Sequence, residues 1–252
     1  MAAESRASLA QEPERPAPRA RVTNPIHLHP TAPLAERVLL PGDPGRALLL
    51  AQSLLQAPAM FNHHRGLWGY TGTASDGEPL TIQSTGMGGP SAAIVIAELA
   101  ELGARRLLRV GTCGALVPGF ELGDLLVVSE AIPADGTSRA LGAEQPLRPA
   151  PGLLDRLLGS VGARVRSGSV VSTDLFYDGR EGEEQRWTAA GALAVDMESA
   201  PLLALAQLRG LEGASLLLVS DLLPGGRTRI EPDALRAGEH RLGEVAIAAL
   251  AG

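Results

Sequence analysis

Short aliphatic runs alternate with helix-patterned stretches from residue 37 to the end of the chain, and five of these runs lead into glycines and polar side chains. A strand that stops at a glycine-rich turn and passes into a helix is the repeating unit of an α/β protein, whose sheet is covered by helices on both faces. The pattern predicts strands at 37–40, 68–73, 80–85, 106–110, 125–130, 167–173, 192–195 and 216–220, the second and third forming a hairpin around Ser75-Asp76-Gly77. Helices are expected over 47–56, 91–102, 153–161, 181–190, 197–210 (with Gly210 as its stop) and 232–250. Neither a repeat nor a linker divides residues 25–252, which read as one domain. Residues 1–24, rich in Ala, Pro, Glu and Arg without periodicity, read as a disordered extension.

All 22 basic residues among the 252 are arginine. A chain without lysine has no P-loop lysine, no Schiff-base lysine for pyridoxal chemistry and no kinase strand lysine. Any anion it binds is held by Arg, His, hydroxyls or backbone N–H groups. The single cysteine, Cys113, excludes an internal disulfide and every multi-cysteine metal centre, and it suits a reducing compartment. A net charge of -6 and 3% aromatic residues argue against a nucleic-acid partner. No apolar run reaches membrane-spanning length and no hydrophobic signal core opens the chain, so the expectation is a cytoplasmic protein without a membrane partner.

The five strand-end segments carry the candidate chemistry, since α/β proteins place their sites there. In residues 40–46 (LPGDPGR), Gly42 lets a backbone N–H approach an anion and Arg46 adds a charged fork; the same residues also suit a plain turn before a helix. Residues 86–91 (GMGGPS) resemble a dinucleotide fingerprint broken by Pro90, which leaves a close backbone approach to another ligand or tight helix–sheet packing. In residues 109–114 (RVGTCG), an arginine inside an apolar strand is costly unless it meets an anion or a fixed partner; with Thr112 adding a hydroxyl, the reading favoured is an oxyanion cradle over a structural ion pair. Cys113 reads as a packing residue there. In residues 195–199 (VDMES), Glu198 either favours the helix dipole or, with Asp196, grips a polyol through paired hydroxyl hydrogen bonds. In residues 217–221 (LLVSD), Asp221 is either a cap or a proton donor with a raised pKa.

Residues 40–46, 62–73 (NHHRGLWGYTGT), 84–91, 108–115, 172–177 (STDLFY), 195–200 and 219–221 stand together in an order that resembles the nucleoside phosphorylase family of bacterial purine nucleoside and uridine phosphorylases. The resemblance runs from about Pro25 to the C-terminus. It implies a three-layer α/β/α fold with a mixed twisted sheet, and phosphorolysis of a nucleoside to a free base and a pentose 1-phosphate, without metal or organic cofactor. Carried over residue by residue, it implies that Gly42, Arg46, Arg109 and Thr112 bind phosphate, joined by Arg65 of a neighbouring subunit. Met87, Met197 and Glu198 bind the ribose, with His27 (or His29) reaching the neighbour's ribose region. Cys113, Gly114 and Phe176 flank the base, and Asp221 is the general acid. An arginine assists that acid in purine enzymes: Arg236 lies nearest the family position, with Arg227 and Arg229 as substitutes. Uridine phosphorylases carry a Gln and an Arg after the Phe-Tyr pair, whereas Phe176-Tyr177 is followed here by Asp178-Gly179-Arg180, and the spacing to Asp196 is of the purine type. The implied substrate is a purine nucleoside, with uridine as the alternative and a water-using nucleosidase further off. Sharing of Arg65 and His27 implies a dimer as the catalytic minimum and a homohexamer as the assembly.

Overall fold

The computed structural model describes residues 25–160, 165–178 and 180–251; the extension read from residues 1–24 lies outside them. β1 (Arg37–Leu40) leads into α1 (Pro44–Leu54), followed by an antiparallel meander of β2 (Gln56–Asn62), β3 (Gly69–Thr73) and β4 (Pro79–Gln83). α2 (Gly89–Leu102) returns the chain to β5 (Arg106–Ala115), then β6 (Leu125–Pro133), α3 (Gly136–Ala140) and α4 (Pro151–Ser160). β7 (Arg166–Ser172), α5 (Glu183–Ala189), β8 (Ala192–Asp196), α6 (Ser199–Arg209), β9 (Glu212–Leu222), β10 (Thr228–Arg229) and α7 (Pro232–Leu250) complete the order.

The strands form one mixed sheet in the order β10-β9-β6-β7-β8-β5-β1-β4-β3-β2, and a further pairing of β9 with β5 closes five of them into a ring. β5 makes this possible by its length. Its residues 106–109 pair in parallel with β1, its last two pair antiparallel with β8, and β9 follows its other edge throughout.

Side chains alternate across the strands, so successive aliphatic residues feed different layers. Leu39, Leu108, Val110 and Leu216 pack with Leu50, Leu153 and Leu242 under α1, α4 and α7. Val38, Leu40 and Leu107 pack with Ile96, Leu99 and Leu202 under α2 and α6. The ring strands share a third cluster through Cys113, Val128, Val170, Ala194 and Val219. The arrangement is the expected three-layer α/β/α fold, its sheet rolled up at one end.

Local expectations shift, and α3 and β10 are elements that the pattern did not predict. The turn expected at 111–114 is strand, because β9, itself longer than the expected 216–220, pairs along β5 as far as Leu222 with one irregularity at Cys113 and Gly114. Small residues in a buried strand have the composition of a turn. The helix expected from residue 47 starts at Pro44, because the Asp43 carboxylate accepts from the N–H groups of Gly45 and Arg46, and Gln56 already belongs to β2. β2 gave no strand signal: five of its seven residues are exposed, it contains Pro58, and its register shifts twice. Among the described residues no helix is long and apolar enough to cross a membrane.

Candidate active site

Backbone and side-chain contacts tie all five strand-end segments together. Thr85 donates its N–H to Pro41 O, Gly88 to Glu198, Arg46 reaches Val110 O, Arg109 reaches Asp196 and Glu198, and Ser220 reaches Cys113 O.

Arg109 lies at the centre, 5% exposed. Its side chain folds back along its own strand: a Cβ at Gly111 would stand 2.5 Å from the guanidinium carbon, so glycine alone leaves the fork its place. Nε donates to Asp196 Oδ2 at 3.0 Å and Nη2 lies 2.7 Å from Glu198 Oε2. Asp196 is saturated with donors. Its Oδ2 also accepts from the N–H and hydroxyl of Ser199, and its Oδ1 accepts from Ser172 Oγ at 2.6 Å. That network fixes Arg109 and caps α6 with one carboxylate.

Glu198 accepts the Gly88 N–H at 2.5 Å, and Gly88 turns toward it with a φ of 84°, a conformation that favours glycine. One guanidinium therefore serves two buried carboxylates. Burial pushes Glu198 above the usual carboxylate range; Arg109 opposes the rise and Asp196 adds to it. Burial also works against charge on Arg109, but Glu198 and Asp196 outweigh it and hold its pKa above the ordinary value.

Arg46 is also buried. Its Nε donates to Glu239 Oε1 on α7 at 2.7 Å and its Nη1 to Val110 O at 3.4 Å. The phosphate-side cluster thus contains two guanidinium groups and three carboxylates. Gly42 lies against Gly86 O of the neighbouring loop, and Met197 approaches Gly88. Met87 is 85% exposed at the mouth, and Thr112 is half-buried on β5.

Asp221 stands at the far end of β9, 4% exposed. Its Oδ2 accepts from Ser220 Oγ at 2.7 Å, whereas Oδ1 is buried without a hydrogen-bond partner. Arg227 Nε is 3.8 Å from that oxygen, and its guanidinium lies 4.4 Å over the Phe176 ring. Arg236 does not share this site. It is exposed on α7 and pairs with Asp233 at 4.0 Å. Arg229 faces Asp221 across the β10–β9 pairing yet forms no ion pair with it among the described residues. Of the three arginines considered from sequence, Arg227 is the one beside the acid. Gly114 pairs with Val195 and Asp221. Cys113 is packed in the ring, where burial pushes its thiol well above the ordinary range, so it is a poor nucleophile.

His27 and Arg65 share another surface. The His27 ring sits 2.7 Å from Glu98 Oε1, and the same carboxylate accepts the N–H groups of Ile26, His27 and Leu28. Burial pushes Glu98 up, but the His27 ring and those N–H groups outweigh it and hold the carboxyl below its usual range. His29 stacks on His64 at 3.8 Å, and His64 Nδ1 bonds to His27 O. Arg65, next to His64, is exposed at a left-handed φ of 57°. Among the described residues neither His27 nor Arg65 touches Arg46, Arg109 or Glu198.

Sequence reasoning left Glu239, Ser172 and Ser220 out of the site and gave Asp196 no role toward Arg109. The cost of an arginine in an apolar strand signalled a partner without naming it; the structure supplies the ion pair that was disfavoured, with Asp196 and Glu198.

Residues 36–251 match the phosphorylase superfamily, and the chain belongs to it. It is 38% identical over 208 residues to a purine nucleoside phosphorylase of the DeoD type from Geobacillus kaustophilus, spanning 80% of this chain and 87% of that protein. A guanosine phosphorylase from Halorubrum lacusprofundi is 34% identical over 198 residues, spanning 77% and 81%. The crystal structure of a uridine phosphorylase from Vibrio fischeri, complexed with 6-hydroxy-1-naphthoic acid, superposes with a TM-score of 0.78 at 29% identity, over 86% of this chain and 91% of that one.

Proposed function

We propose that this protein cleaves the N-glycosidic bond of purine (deoxy)ribonucleosides with inorganic phosphate, releasing the base and (deoxy)ribose 1-phosphate. The observation that carries the reading is the pair of buried arginines, Arg46 and Arg109, set in a fixed carboxylate frame beside Gly88 and joined through β5 and β9 to Asp221. Both arginines are compensated by carboxylates of this chain, and that frame holds two guanidinium groups fixed at strand ends where a phosphate could be positioned.

In this mechanism Gly42, Arg46, Arg109 and Thr112 hold phosphate against the sugar C1′, which is catalysis by positioning. Glu198 accepts the ribose hydroxyls, with Met87 and Met197 against the sugar. Phe176, Cys113 and Gly114 flank the base, and Asp221 gives a proton to it as the bond breaks. The protein uses no metal or organic cofactor in this scheme. Asp221, with one unpartnered oxygen, favours a purine over uridine, since protonation at a ring nitrogen assists a purine leaving group. The two buried arginines favour phosphate over water. A panel of adenosine, inosine, guanosine, uridine and thymidine, with and without phosphate, tests this. Base release only with phosphate and mainly from purines is the expected result; equal release in phosphate-free buffer overturns it.

The charge balance also supports a shared site. Two guanidinium groups against three carboxylates are a poor field for a phosphate dianion, and the exposed Arg65 of a second copy supplies the missing positive charge, accompanied by His27. The dimer is then the smallest active unit, and a hexamer built as three dimers is the proposed assembly. One buried cysteine without a disulfide suits the cytoplasm. Mixing an Arg65→Ala subunit with a Glu198→Ala subunit should restore activity that neither homo-oligomer has, because one site in the mixed dimer keeps both residues. Absence of rescue in confirmed mixed oligomers counts against sharing.

A further inference from the structure

The turn that carries Arg65 is clasped by two stacked histidines, and we propose that His29 and His64 are positioning residues that set this arginine for a second copy's phosphate site. The role rests on the shared site proposed above and adds the residues that deliver the borrowed charge.

Arg65 lies between β2 and β3 in a short helical turn, His64–Gly66, at a φ of 57°, and Gly66 follows at 70°. A left-handed backbone is costly for a residue with a Cβ and persists only where the surroundings hold it. The arginine does not hold itself: its side chain is exposed and makes no hydrogen bond or ion pair among the described residues. The residue before it is held instead. The His64 ring stacks on His29, with centroids 3.8 Å apart and planes 11° from parallel. Its Nδ1 donates to His27 O at 3.2 Å, and its own carbonyl accepts the Leu67 N–H at 3.1 Å. His29 is fixed in turn. Its N–H donates to Asn62 Oδ1 at 2.8 Å and its Nε2 to Ile26 O at 3.2 Å. Asn62 is fully buried and closes the turn by donating to Leu67 O at 2.6 Å. Glu98 of α2 anchors the far side through the N–H groups of Ile26, His27 and Leu28. The stack therefore braces residues 26–29 against the turn at 62–67, and His27 and Arg65 belong to one rigid unit.

A charge lent by another subunit is most effective when its place is set before the substrate binds. An arginine has many rotamers to lose, and the cost of ordering it is subtracted from binding. Ring stacking is a modest force, but it acts on the residue that opens the left-handed turn. Without it the turn has alternative shapes, and apparent affinity falls with the fraction that stays competent. The two histidines touch neither phosphate nor nucleoside in this scheme; they act through Arg65 alone.

At saturating purine nucleoside, His64→Ala and His29→Ala should each raise KM for phosphate about three- to tenfold, the result of about a tenth to a third of the turns staying competent, with kcat and the nucleoside KM little changed. His29→Phe, which keeps a ring on His64, should stay near wild type; His29 is exposed, so neither of its variants disturbs the core. Arg65→Ala should raise the phosphate KM further, and adding His64→Ala to it should change nothing more. In oligomers mixed from His64→Ala subunits and an excess of Glu198→Ala subunits, each working site takes Arg65 from a subunit with intact His64. The phosphate KM should then return to the wild-type value. Losses that add in the double variant, a KM that stays raised in confirmed mixed oligomers, or a His29→Phe that behaves like His29→Ala overturn the positioning role. An unchanged phosphate KM in Arg65→Ala instead removes the shared site on which the role rests, while phosphate-dependent cleavage by the same preparation leaves the reaction itself standing.

Discussion

Arg109→Ala should raise the apparent KM for phosphate by about a hundredfold or more and lower the melting temperature, a double loss that no surface arginine shares. The first effect follows from losing a buried charged fork, where truncating one partner of a buried charge pair costs about 2–5 kcal/mol. The second follows from what the substitution leaves behind. Asp196 and Glu198 remain buried with no cation between them, and breaking a buried pair costs about 3–5 kcal/mol in stability. The pH dependence of that stability separates this account from simple cavity formation. Glu198 already has a raised pKa, and without Arg109 it rises further. A carboxyl whose folded pKa lies above its unfolded value contributes stability that is present at low pH and is lost as pH rises through the folded value. The variant should therefore lie closest to wild type in mildly acidic buffer and fall furthest behind above neutrality. Thermal melts across that range, paired with phosphate titrations of initial rate, make the measurement. A uniform loss at all pH values points to lost packing, and an unchanged phosphate requirement removes Arg109 from the phosphate site.

The same residue shows what a sequence discloses and what it hides. Arg109 was visible as an anomaly because a charge interrupts an apolar run, and Asp221 was visible for the same reason. Gly111 looked like part of a turn, since composition records small size and does not record that the guanidinium of residue 109 needs the space. Glu239 was invisible because it sits 193 residues from Arg46 on a helix whose polar face reads as solvated; only the packing of α7 against α1 brings the two within 2.7 Å. The closure of the sheet was hidden for a related reason. Alternation gives each strand's faces, but the β5–β9 pairing depends on both strands outrunning their apolar centres. Arg227 and Arg236 show the limit of spacing arguments. Position along the chain favoured Arg236, whereas the loop between β9 and β10 turns back over Phe176 and carries Arg227 to the acid.

Asp221→Asn should lower kcat/KM for purine nucleosides by about 10²–10⁴, the usual contribution of a positioned general acid. The substitution keeps the shape of the side chain, and its amide oxygen still accepts from Ser220 Oγ, so the β9 end and the Arg227 loop stay in place. What it removes is the acid that the proposed mechanism uses to protonate the base. The loss should therefore depend on how much the leaving group needs that proton. An N7-methylated purine nucleoside already carries the positive charge that protonation supplies, and its cleavage should fall by much less than that of inosine in the same preparation. Uridine offers a second comparison, because its base has no N7 to protonate, and any residual activity on it should be nearly insensitive to the change. A variant that loses all three substrates alike, with an unchanged melting temperature, has lost a positioning group, and Asp221 is then part of the scaffold that joins β5 to β10. A selective loss on unmodified purines assigns the proton to Asp221, because an inert amide in the same place can hold the base and cannot protonate it.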